Sequence, residues 1–387
     1  MGPFDAIRPY NDQEVPAVLA RLCSDPELLA MLTRYRFPQL TNLFGWMLKP
    51  LIGYRLRREL KPIDSVAALQ EKIEPYVERA IERATDGISY SGLDRLQAGK
   101  SYLFMANHRD IVMDPAIVNY AVYQAALPTP RIAIGDNLLQ RPFVSDLMRL
   151  NKSFIVHRSI SGRREKLAAF QLLSAYINHS IREEGESIWI AQAEGRAKDG
   201  DDRTDSAILK MFHIARKDEP FAEVIGGLGL VPVSISYEYD PCDQAKAREL
   251  YTRATTGSYT KAPGEDDASI ALGITGYKGR VHIAFGEQVG TQWEEAKQLA
   301  QEMDRRILGG YRLFPVNYLA YAMWEGREAE LSVPEAQQLF GVEELAKAEA
   351  EWQRRLQSCP VEQRPYLILQ YANPVRNQYR IKAGLPL

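Results

Sequence analysis

Residues 102–118 read YLFMANHRDIVMDPAIV, and their division decides the fold. The run from 101 to 106, SYLFMA, is strand-like, and the spacing from 111 to 126 is helical. Asn107 and His108 fall between the two, at the carboxyl end of a predicted strand, where sites form in open α/β sheets. Further apolar runs repeat the pattern at 131–135 (RIAIG), 152–157 (KSFIVH), 186–192 (ESIWIAQ), 229–237 (GLVPVSISY) and 279–287 (GRVHIAFGE). Helical spacing at 138–150, 162–183 and 205–217 separates them. Such alternation predicts an α/β core with a mixed, largely parallel sheet flanked by helices.

The flanks read as helical. Residues 14–32 have helical spacing broken by a cap-like Ser24-Asp25-Pro26, and 65–84 form an amphipathic helix. Between them, 33–61 sets seven Lys and Arg residues against the single acid Glu59. Phe37, Leu40, Leu43, Phe44, Trp46, Met47, Leu51 and Ile52 lie among those charges. The mixture suits either a helix at an anionic membrane surface or a pair of core-packing helices with solvated ends. Helices also follow at 291–308, 334–357 and 365–382, whereas 256–269, TGSYTKAPGEDDAS, reads as a surface loop. The predicted organisation is a helical region at 1–84, an α/β domain at 85–312 and a helical extension at 313–387. The extension is expected to pack its YLILQYANPV segment on the core.

Composition narrows the function classes. The net charge of −2 gives no general attraction to nucleic acid. Three scattered cysteines (23, 242 and 359) make neither a disulfide framework nor a zinc site and fit a reducing compartment. No signal-peptide pattern opens the sequence, and no apolar run has the length of a membrane span. These features predict a cytoplasmic protein that touches membranes without crossing them. His108-Arg109-Asp110 imitates a kinase loop, but Pro115 stands where the magnesium-binding Asn would be required. DRLQAGKS at 94–101 lacks the first glycine of a phosphate-binding loop, and a strand follows it instead of a helix. There is no Gly-x-Ser-x-Gly elbow, and the five histidines show no metal-ligand pairing.

What remains is an Asn-His at one strand end and cations at two others. Transfer of an acyl group from a thioester to an alcohol needs a base for the hydroxyl proton, which imidazole can supply. A carboxylate on the other ring nitrogen fixes its tautomer. Asp114 and Asp110 both follow His108 closely enough to be that carboxylate. FIVHR ends a strand with His157-Arg158, and IWIAQAEGRAK ends another with Glu194-Gly195-Arg196, then Lys198. Guanidinium and ammonium groups beside a flexible glycine suit an acceptor's phosphate.

NHRDIVMD, FIVHR, EGR and VPVSI occur in this order, and together they resemble the four blocks of the glycerolipid acyltransferase superfamily. The likeness spans roughly 85–312 and is greatest to glycerol-3-phosphate acyltransferases, whose closing strand RVHIAFGEQV also resembles. It implies His108 as general base, Asp114 as its partner, and Arg158 and Arg196 as phosphate ligands helped by His157 and Lys198. Asn107, Glu194 and Gly195 would shape the site, with a turn at Val231-Pro232 lining it. The implied reaction is acyl transfer from acyl-CoA or acyl carrier protein, as co-substrate, to glycerol-3-phosphate or 1-acylglycerol-3-phosphate. No metal or other cofactor is implied, and the location is peripheral at the inner face of a membrane. The family's His–Asp spacing is one residue shorter than that between His108 and Asp114, so His108 must stand in the loop before the helix. Competing readings are a non-catalytic lipid- or acyl-carrier-binding protein on the same fold, an acyltransferase for another lysolipid, and a thioesterase.

Overall fold

The computed structural model describes residues 2–387, with the side chains of 41–43, and so that of Leu43, outside the described residues. The chain opens with helices α1 (Val15–Leu22), α2 (Pro26–Arg36), α3 (Thr41–Leu60) and α4 (Val66–Ala84). Strands β1 (Ile88–Ser91) and β2 (Leu103–Ala106) lead into α5 (Met113–Gln124). There follow β3 (Arg131–Gly135), α6 (Pro142–Leu150), β4 (Ser153–Val156), α7 (Arg163–Arg182) and β5 (Ile188–Ala191). Helices α8 (Ser206–Ile214) and α9 (Phe221–Gly227) precede β6 (Leu230–Tyr237). Helices α10 (Asp243–Thr256) and α11 (Glu265–Thr275) lie between β6 and β7 (Val281–Phe285). The chain ends with α12 (Ala296–Gly309), α13 (Pro315–Met323), the short α14 (Ala336–Leu339), α15 (Val342–Ser358) and α16 (Arg364–Lys382).

Two compact units divide the chain, and neither is continuous in sequence. The smaller comprises 1–77 and 130–176, the larger 78–129 and 177–387. In the larger unit the strands lie in the order β1-β7-β6-β2-β5. β2 pairs parallel with β5 and β6, and β1 parallel with β7, while β6 and β7 run antiparallel. β2 and β6 are buried along their whole length, as near-continuous apolar runs in the middle of a sheet should be. In the smaller unit β3 and β4 pair parallel. The mixed, largely parallel α/β architecture is therefore the one the sequence predicts.

Five elements escaped that reading. β1, Ile-Ser-Tyr-Ser, is an edge strand with two hydroxyl residues in four positions, so it shows no apolar run. Helices α9, α10 and α13 carry no pattern that distinguished them. The expected loop at 256–269 is a loop only from 257 to 264, since α10 runs to Thr256 and α11 starts at Glu265. Glu265, Asp266 and Asp267 read as loop residues, yet acids suit the electropositive first turn of a helix.

The final helices belong to the body of the larger unit. Trp352 and Leu356 of α15, Val316 and Ala320 of α13, and Leu367, Tyr371 and Val375 of α16 form one core with Tyr239 and Ala247. Asp243 of α10 accepts from both Arg355 Nη1 (2.6 Å) and the Tyr371 hydroxyl (2.7 Å), so this core also carries a satisfied buried charge. The smaller unit has its own core, in which α1, α2, α4 and α6 meet through Val18, Leu22, Leu28, Leu69, Phe143 and Leu150. Among the described residues no helix is long and apolar enough to cross a membrane. α3 nonetheless exposes Phe44, Trp46, Met47, Leu51 and Tyr54, with Tyr35 of α2 also exposed. Among its described residues the buried positions are Gly45 and Gly53, and Gly53 approaches the Cys23 carbonyl and Leu29.

Trp352 is among the largest fully buried side chains. Trp352→Ala is expected to destabilise the larger unit by roughly 3–5 kcal/mol, measured by chemical denaturation. A loss below about 1 kcal/mol would mean that the terminal helices add little to its stability.

Candidate active site

β2 ends at Ala106 and α5 begins at Met113, so residues 107–112 form a loop at the carboxyl end of a central strand. Buried Asn107 fixes where that loop leaves the sheet. Its amide nitrogen donates to the Ile235 carbonyl (3.0 Å), and its amide oxygen accepts from the Ile235 backbone N–H (2.7 Å). His108 follows, and its Nδ1 lies 2.8 Å from Asp114 Oδ2.

Asp114 occupies the first turn of α5 and is completely buried, while His108 keeps 16% of its side chain accessible. Oδ2 of Asp114 also accepts the backbone N–H groups of Arg109 (2.6 Å) and Asp110 (2.9 Å). Oδ1 accepts the hydroxyl of Tyr237, the last residue of β6, at 2.7 Å. Burial, then the neighbouring Asp114 charge, holds the Tyr237 phenol far above the ordinary tyrosine range, so it remains a donor. The six-residue step from His108 to Asp114 does not require the two to share a helical face, because His108 stands before the helix.

Asp110 does not bond to His108. Its Oδ1 accepts the backbone N–H groups of Val112 (3.0 Å) and Met113 (2.8 Å), closing the turn that starts α5. Burial and the Asp114 charge push its carboxyl up. Trp189 of β5 lies edge-on to the imidazole, with centroids 5.6 Å apart.

The third block meets the dyad through the backbone. Ala197 N–H donates to the His108 carbonyl (2.8 Å), which brings the flanking Arg196 and Lys198 to the same strand end. Gly195 adopts φ +80°, a conformation that glycine alone takes without strain, and Glu194 is exposed beside it. Both cations already face acids. Arg196 Nη2 lies 3.9 Å from Asp266, and Lys198 Nζ 3.4 Å from Glu249.

His157 and Arg158 follow β4 in the smaller unit. There the Asp136 carboxylate gathers the Arg158 N–H (3.1 Å), the Ser159 hydroxyl (3.1 Å) and His157 Nδ1 (3.4 Å). Val231-Pro232 is not a turn: both residues lie inside β6, Pro232 level with Met105 of β2 and accepting from Gly286 N–H (2.8 Å). The β6 residue that reaches the dyad is Tyr237, further toward the strand's carboxyl end. Sequence reasoning missed it, and its only signal was its place at the end of an apolar strand run. Among the described residues, no group of three or more His, Cys, Asp and Glu side chains stands where it could hold a metal ion.

The His-Asp pair and the neighbouring glycine-cation loop thus stand at the strand ends of an α/β sheet. Residues 87–236 match the family model described as Acyltransferase. Dihydroxyacetone phosphate acyltransferases of Bos taurus and Homo sapiens are 25% and 23% identical over 209 residues. That alignment takes in 52% of this chain but only 28% of each relative's length. The structure of the 1-acyl-sn-glycerophosphate acyltransferase of Thermotoga maritima, 16% identical, covers 72% of this chain and 91% of its own, at a TM-score of 0.35.

The Tyr237 bond is directly testable. Tyr237→Phe leaves a buried carboxylate oxygen without its hydroxyl donor and is expected to cost roughly 1–3 kcal/mol in urea denaturation. A change of only a few tenths would mean that another donor replaces the phenol.

Proposed function

We propose that this chain is an O-acyltransferase of phospholipid synthesis, moving a fatty acyl group from an acyl thioester to the hydroxyl of a phosphorylated glycerol acceptor. The observation that carries the reading is the His108–Asp114 bond. With Nδ1 bound to a buried carboxylate, Nε2 is the nitrogen that takes the acceptor's hydroxyl proton. The alkoxide oxygen attacks the thioester carbonyl carbon and forms a tetrahedral oxyanion. Collapse expels the thiolate of coenzyme A or of an acyl carrier protein, which recovers the proton from the imidazolium. Asp114 supports that imidazolium throughout. Arg196 and Lys198 bind the acceptor phosphate.

The relatives' names add dihydroxyacetone phosphate to glycerol-3-phosphate and 1-acylglycerol-3-phosphate as acceptors to test. His108→Ala and Asp114→Asn are each expected to lower kcat/KM by roughly 10²–10⁴. Asp110→Asn keeps most of the turnover, because Asn serves almost equally well at the start of a helix. The assay follows a labelled acyl group from acyl-CoA or acyl carrier protein onto each of the three acceptors. Folded wild type that binds acyl donor but transfers to none of them would favour the binding-protein reading, and release of free fatty acid would favour a thioesterase.

We further propose that α2 and α3 hold the protein at an anionic membrane surface, as a peripheral protein of the inner, cytoplasmic face. The support is an exposed apolar set, with Tyr35 at 83% and Trp46 at 76%, interleaved with Arg34, Arg36, Lys49, Arg55, Arg57 and Arg58. Replacing Tyr35 and Trp46 together by Ala is expected to weaken binding to phosphatidylglycerol-containing vesicles by roughly tenfold or more. Equal binding by the variant in a vesicle co-sedimentation assay would exclude this surface.

A further inference from the structure

Ser89 and Ser91 lie two positions apart on β1, so their side chains share one face of the sheet in the larger unit. His282 of β7 is level with Ser89 in the parallel ladder and stands between the two hydroxyls. Its Nδ1 lies 2.8 Å from Ser89 Oγ, and its Nε2 3.1 Å from Ser91 Oγ. Among the described residues none of the three bonds to His108 or Asp114, and the reaction proposed above leaves them unused. Burial, then the Arg312 charge, holds the His282 imidazole below the ordinary histidine range, so the ring is neutral near pH 7. A neutral imidazole has one N–H and one lone pair, so only one of the two hydroxyls donates to it. The Ser89 hydroxyl also reaches the Val281 carbonyl (3.3 Å), whereas Ser91 has no other acceptor among the described residues. All three bonds are satisfied when Nδ1–H donates to Ser89, Ser89 donates to Val281 and Ser91 donates to Nε2. That is the order of an activated nucleophile, a hydroxyl on a base whose other nitrogen is held by a third group.

Ser91 is the exposed member, at the last position of its strand. Gly92 follows with φ +77°, and a Cβ there would collide with the Phe285 carbonyl, so glycine lets the chain turn away directly after the serine. On the other side of His282, Ser236 of β6 is level with it and accepts the Arg312 N–H (3.0 Å). The backbone of exposed Arg312 is thereby held beside the ring. Its positive charge suits the oxyanion that forms when a carbonyl is attacked there.

We propose that Ser91, with His282 as its base, is a second nucleophile of this protein and takes an acyl group from an activated ester or thioester. The bond from Ser91 Oγ to the acyl carbon forms as the bond from that carbon to the leaving oxygen or sulfur breaks. The hydroxyl proton passes to His282 Nε2 and from there to the leaving group, and the product is an acyl-serine ester. Among the described residues no carboxylate bonds the His282 ring, so the imidazolium gains no such support and the acylation is slow. Neither residue's role depends on the reading of His108 and Asp114.

Full-length protein is incubated with p-nitrophenyl butyrate, and separately with butyryl-CoA, and the added butyryl group is located by mass spectrometry. Trypsin releases Ser91 in the peptide 84–95, which also holds Ser89 and Tyr90. Wild type is expected to carry one butyryl group on Ser91, labelled at least about tenfold faster than exposed Ser161. Labelling by either reagent supports the assignment. Ser91→Ala removes the label from this peptide. His282→Gln, whose amide still reaches both serines, lowers the labelling rate roughly tenfold or more. Labelling of Ser91 no faster than that of Ser161 with both reagents overturns the proposal, as does a label on Ser89 or Tyr90 instead, or an unchanged rate in His282→Gln. The position of the label in wild type decides the matter even where His282→Gln is unstable. No acceptor alcohol is present, so a protein that transfers no acyl group to any glycerol acceptor still gives a readable result at Ser91.

Discussion

The Asp114 carboxylate is the point on which the site depends. It is buried, and it accepts from His108 Nδ1, the N–H groups of Arg109 and Asp110, and the Tyr237 hydroxyl. A buried carboxylate is tolerated only where hydrogen bonds replace its hydration. Satisfying it fixes four things together: the orientation of the imidazole, the path of the 107–110 loop, the start of α5 and the distance from that helix to the end of β6. Asn107 repeats the constraint one residue earlier, pinning the same loop to Ile235 with two backbone bonds. The geometry that the proposed chemistry requires thus follows from a demand of folding.

A chain of buried charges carries this constraint outward. Lys246 Nζ donates to the Arg109 carbonyl (2.9 Å) in the dyad loop and pairs with Asp240. The Asp240 N–H donates to the Tyr371 hydroxyl (3.0 Å), and that hydroxyl donates to Asp243, which Arg355 also holds. On the other side of the loop, Arg109 lies near Asp202 (3.4 Å) and over the Tyr311 ring. Breaking any one pair would strand a charge in the interior, a far greater cost than the pair's own net stabilisation. The terminal helices α15 and α16 therefore do more than cover apolar surface. Their Arg355 and Tyr371 complete a network that ends on the backbone next to His108.

How much of this was legible depended on where each group's partners lie in the sequence. Six strands were visible because central strands of a largely parallel sheet are apolar throughout. β1 was not, since an edge strand can keep serines. His108 and Asp114 stand in one short segment, and the same is true of Arg196 and Lys198, so a local reading could find each group. Tyr237 could not be found in that way, because its hydroxyl matters only through Asp114, far away in the chain. The same holds for Glu249 and Asp266, which no local pattern singles out until folding sets them against Lys198 and Arg196. Pro232 failed in the opposite sense: a residue that commonly marks turns sits inside a buried strand.

The residue that lengthens the His108–Asp114 spacing shows why the donor set matters more than the count. Along a continuous helix, residues six apart face in different directions. Here the backbone between them is a loop whose N–H groups bond to the same oxygen that His108 does, so the loop wraps around the carboxylate instead of passing it. Asp110 closes the wrap by taking the amides of Val112 and Met113 at the start of α5, and Gly273 gives its carboxylate room. A loop held at both ends and along its middle can accommodate one more residue without moving either ring or carboxylate. The spacing in this chain is thus compatible with the dyad, because Asp114 keeps its donors and Gly273 leaves room for Asp110.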